Sequence, residues 1–247
     1  MKKLILGAAL TALTPLSYAV PLVDLELGAS SWNASYSGEI GASSTSVDAL
    51  GFDDDTANSF YVTLELPIPL IPNIRLKTTD LEAVGSNTLT TAFQFNNQGF
   101  AVGDVVNTDI DLSHTDITLF YGLPEFYLDV DFGLTLRVFD GDASAATAAL
   151  QEAVDLSFVI PMAYADVRLD LPFTGLYLGV EGNVLSIGDN SLTDFSARLG
   201  YSTDVIPFIA DLDFELGFRS MDLKLEDEDL NTDLTIDGPY LGVTLAF

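Results

Sequence analysis

The sequence predicts an all-β fold, a transmembrane antiparallel up-and-down β-barrel of about ten strands, and three observations predict it. The chain alternates apolar and polar residues with period 2 over most of its length, which is the pattern of strands with two unlike faces. Two kinds of connection, short Pro-rich turns and long acidic loops, alternate strictly between those strands, as in an up-and-down barrel with one short-looped and one long-looped end. The last residues, Tyr240-Leu241-Gly242-Val243-Thr244-Leu245-Ala246-Phe247, keep the alternation to the C-terminal Phe, so the chain ends as a strand where a soluble protein's terminus is commonly frayed and polar.

Taken in order, Met1-Lys2-Lys3 is cationic, Leu4 to Leu16 is apolar, and Ser17-Tyr18-Ala19 supplies small residues before an expected cut after Ala19. Residues 1–19 are therefore read as a signal peptide and 20–247 as the barrel. The apolar part of the leader falls short of the roughly 20 residues a helical span needs. Without the leader, 7 basic and 37 acidic residues remain, a formal charge of −30, which excludes nucleic acid as a partner. The mean hydropathy is nevertheless +0.32, so acid and apolar side chains must segregate onto different faces. There is no Cys, so neither disulfides nor thiolate metal sites can hold the fold.

The expected strands span 23–40, 59–67, 73–86, 108–122, 126–140, 154–171, 175–187, 192–202, 208–224 and 232–247. Four short turns separate them at Leu66 to Asn73, Leu123 to Phe126, Leu171 to Thr174 and Val205 to Phe208, each with a Pro that cannot donate to a ladder. The long loops are Gly41 to Asn58, Ser86 to Asn107, Gly141 to Ala153, Gly188 to Ser191 and Glu226 to Asn231. The third and fourth strands are expected to continue as a hairpin above the membrane, with its turn at Asn96-Asn97-Gln98-Gly99. The Ala-rich stretch from Asp142 to Ala153, with Asp142 as a cap, suggests a short helix.

Faces are clearest in Phe126 to Val138, where even positions are apolar against Asp129, Asp131, Thr135 and Arg137. They are equally clear from Phe208, where Leu212, Phe214, Leu216 and Phe218 oppose Asp211, Asp213, Glu215 and Arg219. The sixth strand changes parity: Leu156, Phe158 and Ile160 are even, Val167, Leu169 and Leu171 odd. A bulge near Pro161 would produce that. Phe120, Tyr121, Phe126, Tyr127, Phe173, Tyr177, Tyr201, Phe208 and Phe247 lie near the short turns and suggest one interfacial girdle, with Trp32 and Tyr36 in the other.

The C-terminal strand resembles the sorting signal of Gram-negative outer-membrane proteins, with Tyr240, Gly242, Leu245 and Phe247 in the signal's places. With the leader and the Trp32-Asn33-Ala34-Ser35-Tyr36-Ser37-Gly38 start, the mature chain resembles a family of small, uncharacterised outer-membrane β-barrel proteins of Gram-negative proteobacteria. That resemblance implies location in the bacterial outer membrane and periplasmic termini. Outer-membrane lipid, lipopolysaccharide and the barrel-assembly machinery are the expected partners, and no cofactor is expected.

The non-lipid faces place Asp24, Glu26, Glu65, Asp116, Asp129, Asp131, Asp166, Asp170, Glu181, Asp211, Asp213 and Glu215 inside, with Arg75, Lys77, Arg137, Arg168, Arg198 and Arg219. Charges in a narrow ten-stranded lumen persist when paired or wet. The expected network is Asp129, Asp131, Arg137, Arg168, Arg198, Asp211, Asp213, Glu215 and Arg219, either a rigid polar filling or a small cation-preferring channel. The lone histidine, His114, shares a face with Asp116, the one hint of a membrane hydrolase; no nucleophile motif accompanies it, so no catalytic residue and no enzyme is expected. Acidic runs at Asp53-Asp54-Asp55, Asp140 to Asp142 and Glu226 to Asp229 could collect divalent cations in solvated loops, though none matches an EF-hand spacing.

Overall fold

The computed structural model describes residues 23–41, 45–68, 70–125, 127–206, 210–226 and 231–247. The expected leader and the run at 227–229 lie outside these residues, as do Phe126 and Phe208 of the expected girdle. In chain order the strands are β1 (Asp24–Ile40), β2 (Thr45–Ser46), β3 (Asp55–Glu65), β4 (Asn73–Asp80), β5 (Glu82–Thr88), β6 (Phe93–Phe95), β7 (Gln98–Phe100), β8 (Val105–Asp111) and β9 (His114–Glu125). They continue as β10 (Leu128–Phe139), β11 (Asp142–Ala146), β12 (Gln151–Asp155), β13 (Val159–Asp170), β14 (Leu176–Ile187), β15 (Asn190–Ile206), β16 (Ala210–Glu226) and β17 (Asn231–Ala246). One helical turn, α1 (Val47–Leu50), follows β2.

Ten of these strands close a barrel in the order β1-β3-β4-β9-β10-β13-β14-β15-β16-β17, each neighbour antiparallel, and β17 pairs back to β1. Both ends of the barrel chain lie at the short-turn end, where the Leu25 and Phe247 backbones exchange N–H···O bonds of 3.2 and 2.9 Å. The closing seam is interrupted once: pairing passes from Trp32↔Tyr240 to Ser35↔Asp237, skipping Gly238 and Pro239. Pro239 has no N–H to give to the ladder, and the Gly238 carbonyl there accepts from the Trp32 indole at 3.2 Å.

Side chains alternate as a membrane barrel requires. On β10, Phe132, Leu134 and Leu136 stand outward and exposed, Leu134 at 65%, while Thr135, Arg137 and Phe139 are buried inside. Phe60, Val62, Leu119, Val180, Leu199, Leu216 and Leu241 continue this apolar belt around the barrel. On β16 the outward face turns polar beyond Phe218, with Ser220, Asp222 and Lys224, which marks the upper limit of the belt.

Above the belt the long loops fold into a cap. The third and fourth barrel strands do continue as a hairpin: β5 pairs with β8, and β6 with β7 around the Asn96–Asn97 turn. Strands β11 and β12 add to it, giving a sheet ordered β12-β11-β8-β5. Asp142 to Ala153 is therefore a hairpin, not a helix. Ala143 and Ala145 alternate onto the buried face while Asp142 and Ser144 face outward, and β8 supplies the ladder partners, so sheet context overrides alanine's helix propensity. Beneath the sheet, Leu50, Leu89, Phe93, Phe95, Phe100, Val106, Ala143 and Ala145 form the cap's own core.

Two further expectations are corrected. Gly188 to Ser191 is not a long loop: Ile187 and Asn190 are already partners, and Gly188, at φ 62, opens a two-residue turn. The sixth barrel strand has no bulge at Pro161, since β10 and β13 pair without a break from Leu128↔Leu169 to Val138↔Val159. Pro161 lies beyond Ala163, where pairing with β14 begins, so the strand there is laddered on one side. The parity change arises because the barrel interior itself turns from polar to apolar. A register shift does occur elsewhere, between Asp204 and Ile206.

Candidate functional site: a charge-lined lumen sealed at one end

The lumen has three layers along its axis. From the short-turn end, a cavity of about 550 Å³ extends inward. Among the described residues, eleven acidic and five basic side chains line it. Arg75 is held from three sides, donating to Thr63 Oγ1, Tyr164 Oη and Glu181 Oε2 at 3.0, 3.0 and 2.9 Å, and lies over the Tyr61 ring at 5.2 Å. Arg168 donates to Asp213 at 2.9 Å and Asp170 at 3.0 Å and stacks on Tyr177 at 3.7 Å. Arg198 donates to both oxygens of Asp166 at 2.8 Å.

Small residues make room for this crowd. A Cβ on Gly200 would sit 2.0 Å from the Tyr177 ring, and one on Gly217 2.4 Å from Tyr240, so glycine lets each inward tyrosine lie flat across the neighbouring strand. Tyr177 Oη then donates to Glu215 at 2.8 Å.

The middle layer is buried and forms the floor of this cavity. Arg137, 1% exposed, donates through Nε and Nη2 to the two oxygens of Asp116, both at 2.8 Å, and through Nη2 to Asp194 at 2.6 Å. Arg219 donates to the same Asp194 at 2.9 and 2.7 Å and covers the Trp32 ring at 4.6 Å. Two arginines and two aspartates balance formally, and the forked geometry satisfies both partners, which is the condition for burying ions.

Beyond this quartet the interior is apolar. Phe139, Met162, Leu192, Met221, Leu223 and Ile236 fill the barrel and join Leu81, Leu112 and Val47 beneath the cap. Ile160, Phe158 and Leu156, the even residues whose parity suggested a bulge, point into this plug. Phe139 and Phe158 stack at 4.8 Å and carry on to His114 at 5.3 Å from Phe139.

The expected network is thus present in part. Arg137, Arg168, Arg198, Asp213, Glu215 and Arg219 are in it. Asp129 and Asp131 line the cavity without a cation among the described residues within ion-pair range. Asp211 is exposed at the mouth, opposite Asp204 across the ladder, and does not join. Asp194, which binds two arginines, was missed from the sequence, although it shares parity with Arg198 four residues on. Trp32, Tyr177 and Phe120 belong to the lumen and not to a girdle, because their strand parity turns them inward; Tyr36 also faces in, donating to the Glu82 carbonyl at 2.9 Å. Tyr121, Tyr127, Phe173, Tyr201 and Phe247 remain exposed near the short-turn end.

His114 does not form a hydrolytic pair: Nδ1 contacts the Leu112 carbonyl at 2.8 Å, Nε2 is buried without a partner, and Asp116 is committed to Arg137. Among the described residues no three acidic or histidine side chains converge on a metal position, the runs at Asp53 to Asp55 and Asp140 to Asp142 included. The C-terminal residues Tyr240, Gly242 and Leu245 lie on β17, and Phe247 faces outward from its end.

No protein-family model and no curated protein matches the chain. Among solved structures it is similar to Ail, the attachment invasion locus protein of Yersinia pestis, crystallised in complex with the heparin analogue sucrose octasulfate. The identity is 9%, the TM-score 0.38, and the match covers 91% of this chain and 99% of that one. It is also similar to a FadL homologue of Pseudomonas aeruginosa, at 10% identity and TM-score 0.25, over 91% of this chain and 89% of that one. At these values neither likeness bears on ligand or activity.

Proposed function

We propose that the chain is an integral outer-membrane β-barrel protein with a structural or surface-exposed role, its folded cap outside the cell and its lumen closed to through-flow. One observation carries the reading: an apolar belt surrounds a barrel whose interior is interrupted by the buried Arg137–Asp194 layer and the plug above it. A belt of that kind is stable only in lipid, and a closed barrel satisfies its backbone there without edges. The leader and the Phe247 terminus supply the export and assembly signals, so the barrel-assembly machinery, outer-membrane lipid and lipopolysaccharide are the partners this role requires.

The reading is tested by expressing the chain at low level in a Gram-negative host. It predicts recovery in the outer-membrane fraction, loss of residues 1–19, and a folded form that migrates faster than the boiled one. Recovery as a soluble periplasmic protein would overturn it. A cation-preferring channel would need an opening through Arg137 and Phe139, both buried. A hydrolase would need a nucleophile and a free carboxylate beside His114. No enzymatic activity is assigned.

A further inference from the structure

The blind cavity carries charge that its own residues do not balance. Its five basic side chains are all engaged by carboxylates, at 2.7 to 3.3 Å for their shortest contacts. Asp24, Glu65, Asp129 and Asp131 have no cation among the described residues within 4.0 Å. These four gather toward the mouth: Asp24 and Glu65 are register partners on β1 and β3, and Asp129 and Asp131 share the inward face of β10. In the same wall Asp213 is 7% exposed: its Oδ2 holds Arg168, and its Oδ1 is sealed from the cavity.

The shape of the deficit limits what could fill it. No three carboxylates converge on a point among the described residues, so the site is not arranged for a metal ion. The unpaired acids are instead spread along a wall, and successive inward residues of a strand lie about 6.6 Å apart. That spacing matches amines separated by a few methylenes. The cavity, about 550 Å³, falls in the range of roughly 300–1,000 Å³ that small-molecule sites occupy.

We infer that the cavity is a binding site for a slender aliphatic polyamine, entering from the short-turn end, its ammonium groups on Asp129, Asp131 and Glu65. The inference rests on the sealed barrel of the preceding section, because a lumen open at both ends would exchange counter-ions freely.

The test uses the mature chain refolded in detergent micelles, with spermidine as the probe and isothermal titration as the readout. One-site saturable binding is expected in moderate salt. The Asp129→Asn/Asp131→Asn double variant, altered where the wall is wet, should bind about tenfold or more weakly. Asp109→Asn, on the exposed face of the cap, should bind as the parent does. Absence of saturable binding overturns the inference. So does binding that Asp129→Asn/Asp131→Asn leaves unchanged, binding weakened by Asp109→Asn, or full displacement by Mg²⁺ at equal charge concentration, since that is counter-ion condensation. Steady conductance through the parent in bilayers would instead break the sealed-barrel reading, while a null titration leaves that reading intact.

Discussion

Arg137 touches two carboxylates and no solvent, so its removal should be costly in a way that its neighbours in the cavity are not. Arg137→Ala leaves Asp116 alone and strips Asp194 to one partner inside a buried layer, where breaking a pair costs about 3–5 kcal/mol. Arg168, whose side chain is 29% exposed, should cost less than Arg137 when changed to Ala, although its loss also strands Asp213. Equilibrium unfolding in urea from lipid vesicles measures both, and equal losses would show that the quartet is hydrated. The inward direction of Arg137 and Arg219 was legible from parity alone. Which acids they would meet was not, because Asp116, Arg137, Asp194 and Arg219 come from four different strands, and their meeting depends on strand stagger. Trp32 illustrates the same limit: its type suggests an interface, while its position opposite Tyr240 at the seam makes it the floor under Arg219.

The two faces of a single strand give the next test. Leu134→Arg places a charge outward on β10 and should destabilise the barrel in lipid by about 2–4 kcal/mol, whereas Asp131→Arg adds the same group to an acidic, wet wall and should cost under about 1 kcal/mol. A reversal of that order would invert the assignment of faces. At the seam, deletion of Phe247 removes an outward aromatic and both backbone bonds to Leu25, so the heat-modifiable, membrane-inserted fraction should fall. Undiminished insertion at low expression would show that assembly reads another segment. The cap has its own signature. Partial desolvation, then Asp111 and Asp80, raise the Glu82 carboxyl above its ordinary range, and desolvation, then Asp142 and Asp111, raise that of Asp109. An acid whose folded-state pKa is raised takes up protons more readily in the folded state, so the cap gains stability as pH falls toward that pKa and loses it as pH rises past it. Amide exchange in β5 and β8, corrected for its intrinsic pH dependence, should be slower near pH 5 than near pH 7; the opposite trend would contradict the acidic packing of that sheet. Of these elements, the barrel strands and the β5–β8 hairpin were readable from period 2 and Pro placement. The β11–β12 hairpin was not, since Ala143 and Ala145 bury onto Phe93, Phe95 and Phe100, which lie 43 to 52 residues earlier.

For the molecule as a whole, the alternation along each strand specifies a barrel, and the change of parity in β13 specifies what fills it. Leu156, Phe158 and Ile160 were legible as apolar and even, yet the assumption of a uniformly polar lumen turned them toward lipid and required a bulge. The interior is graded instead: an acidic cavity, then a buried paired layer, then apolar side chains up to the cap core. Such a gradient closes the cavity that opens at the short-turn end, which is why sealing, more than charge, is the central claim. Single-channel recording of the parent protein in planar bilayers tests it most directly. The account predicts currents no greater than those of protein-free bilayers at either polarity and in any monovalent salt. Stable conductance steps, with or without cation preference, would mean that ions pass the Arg137 layer and the plug, and would contradict it.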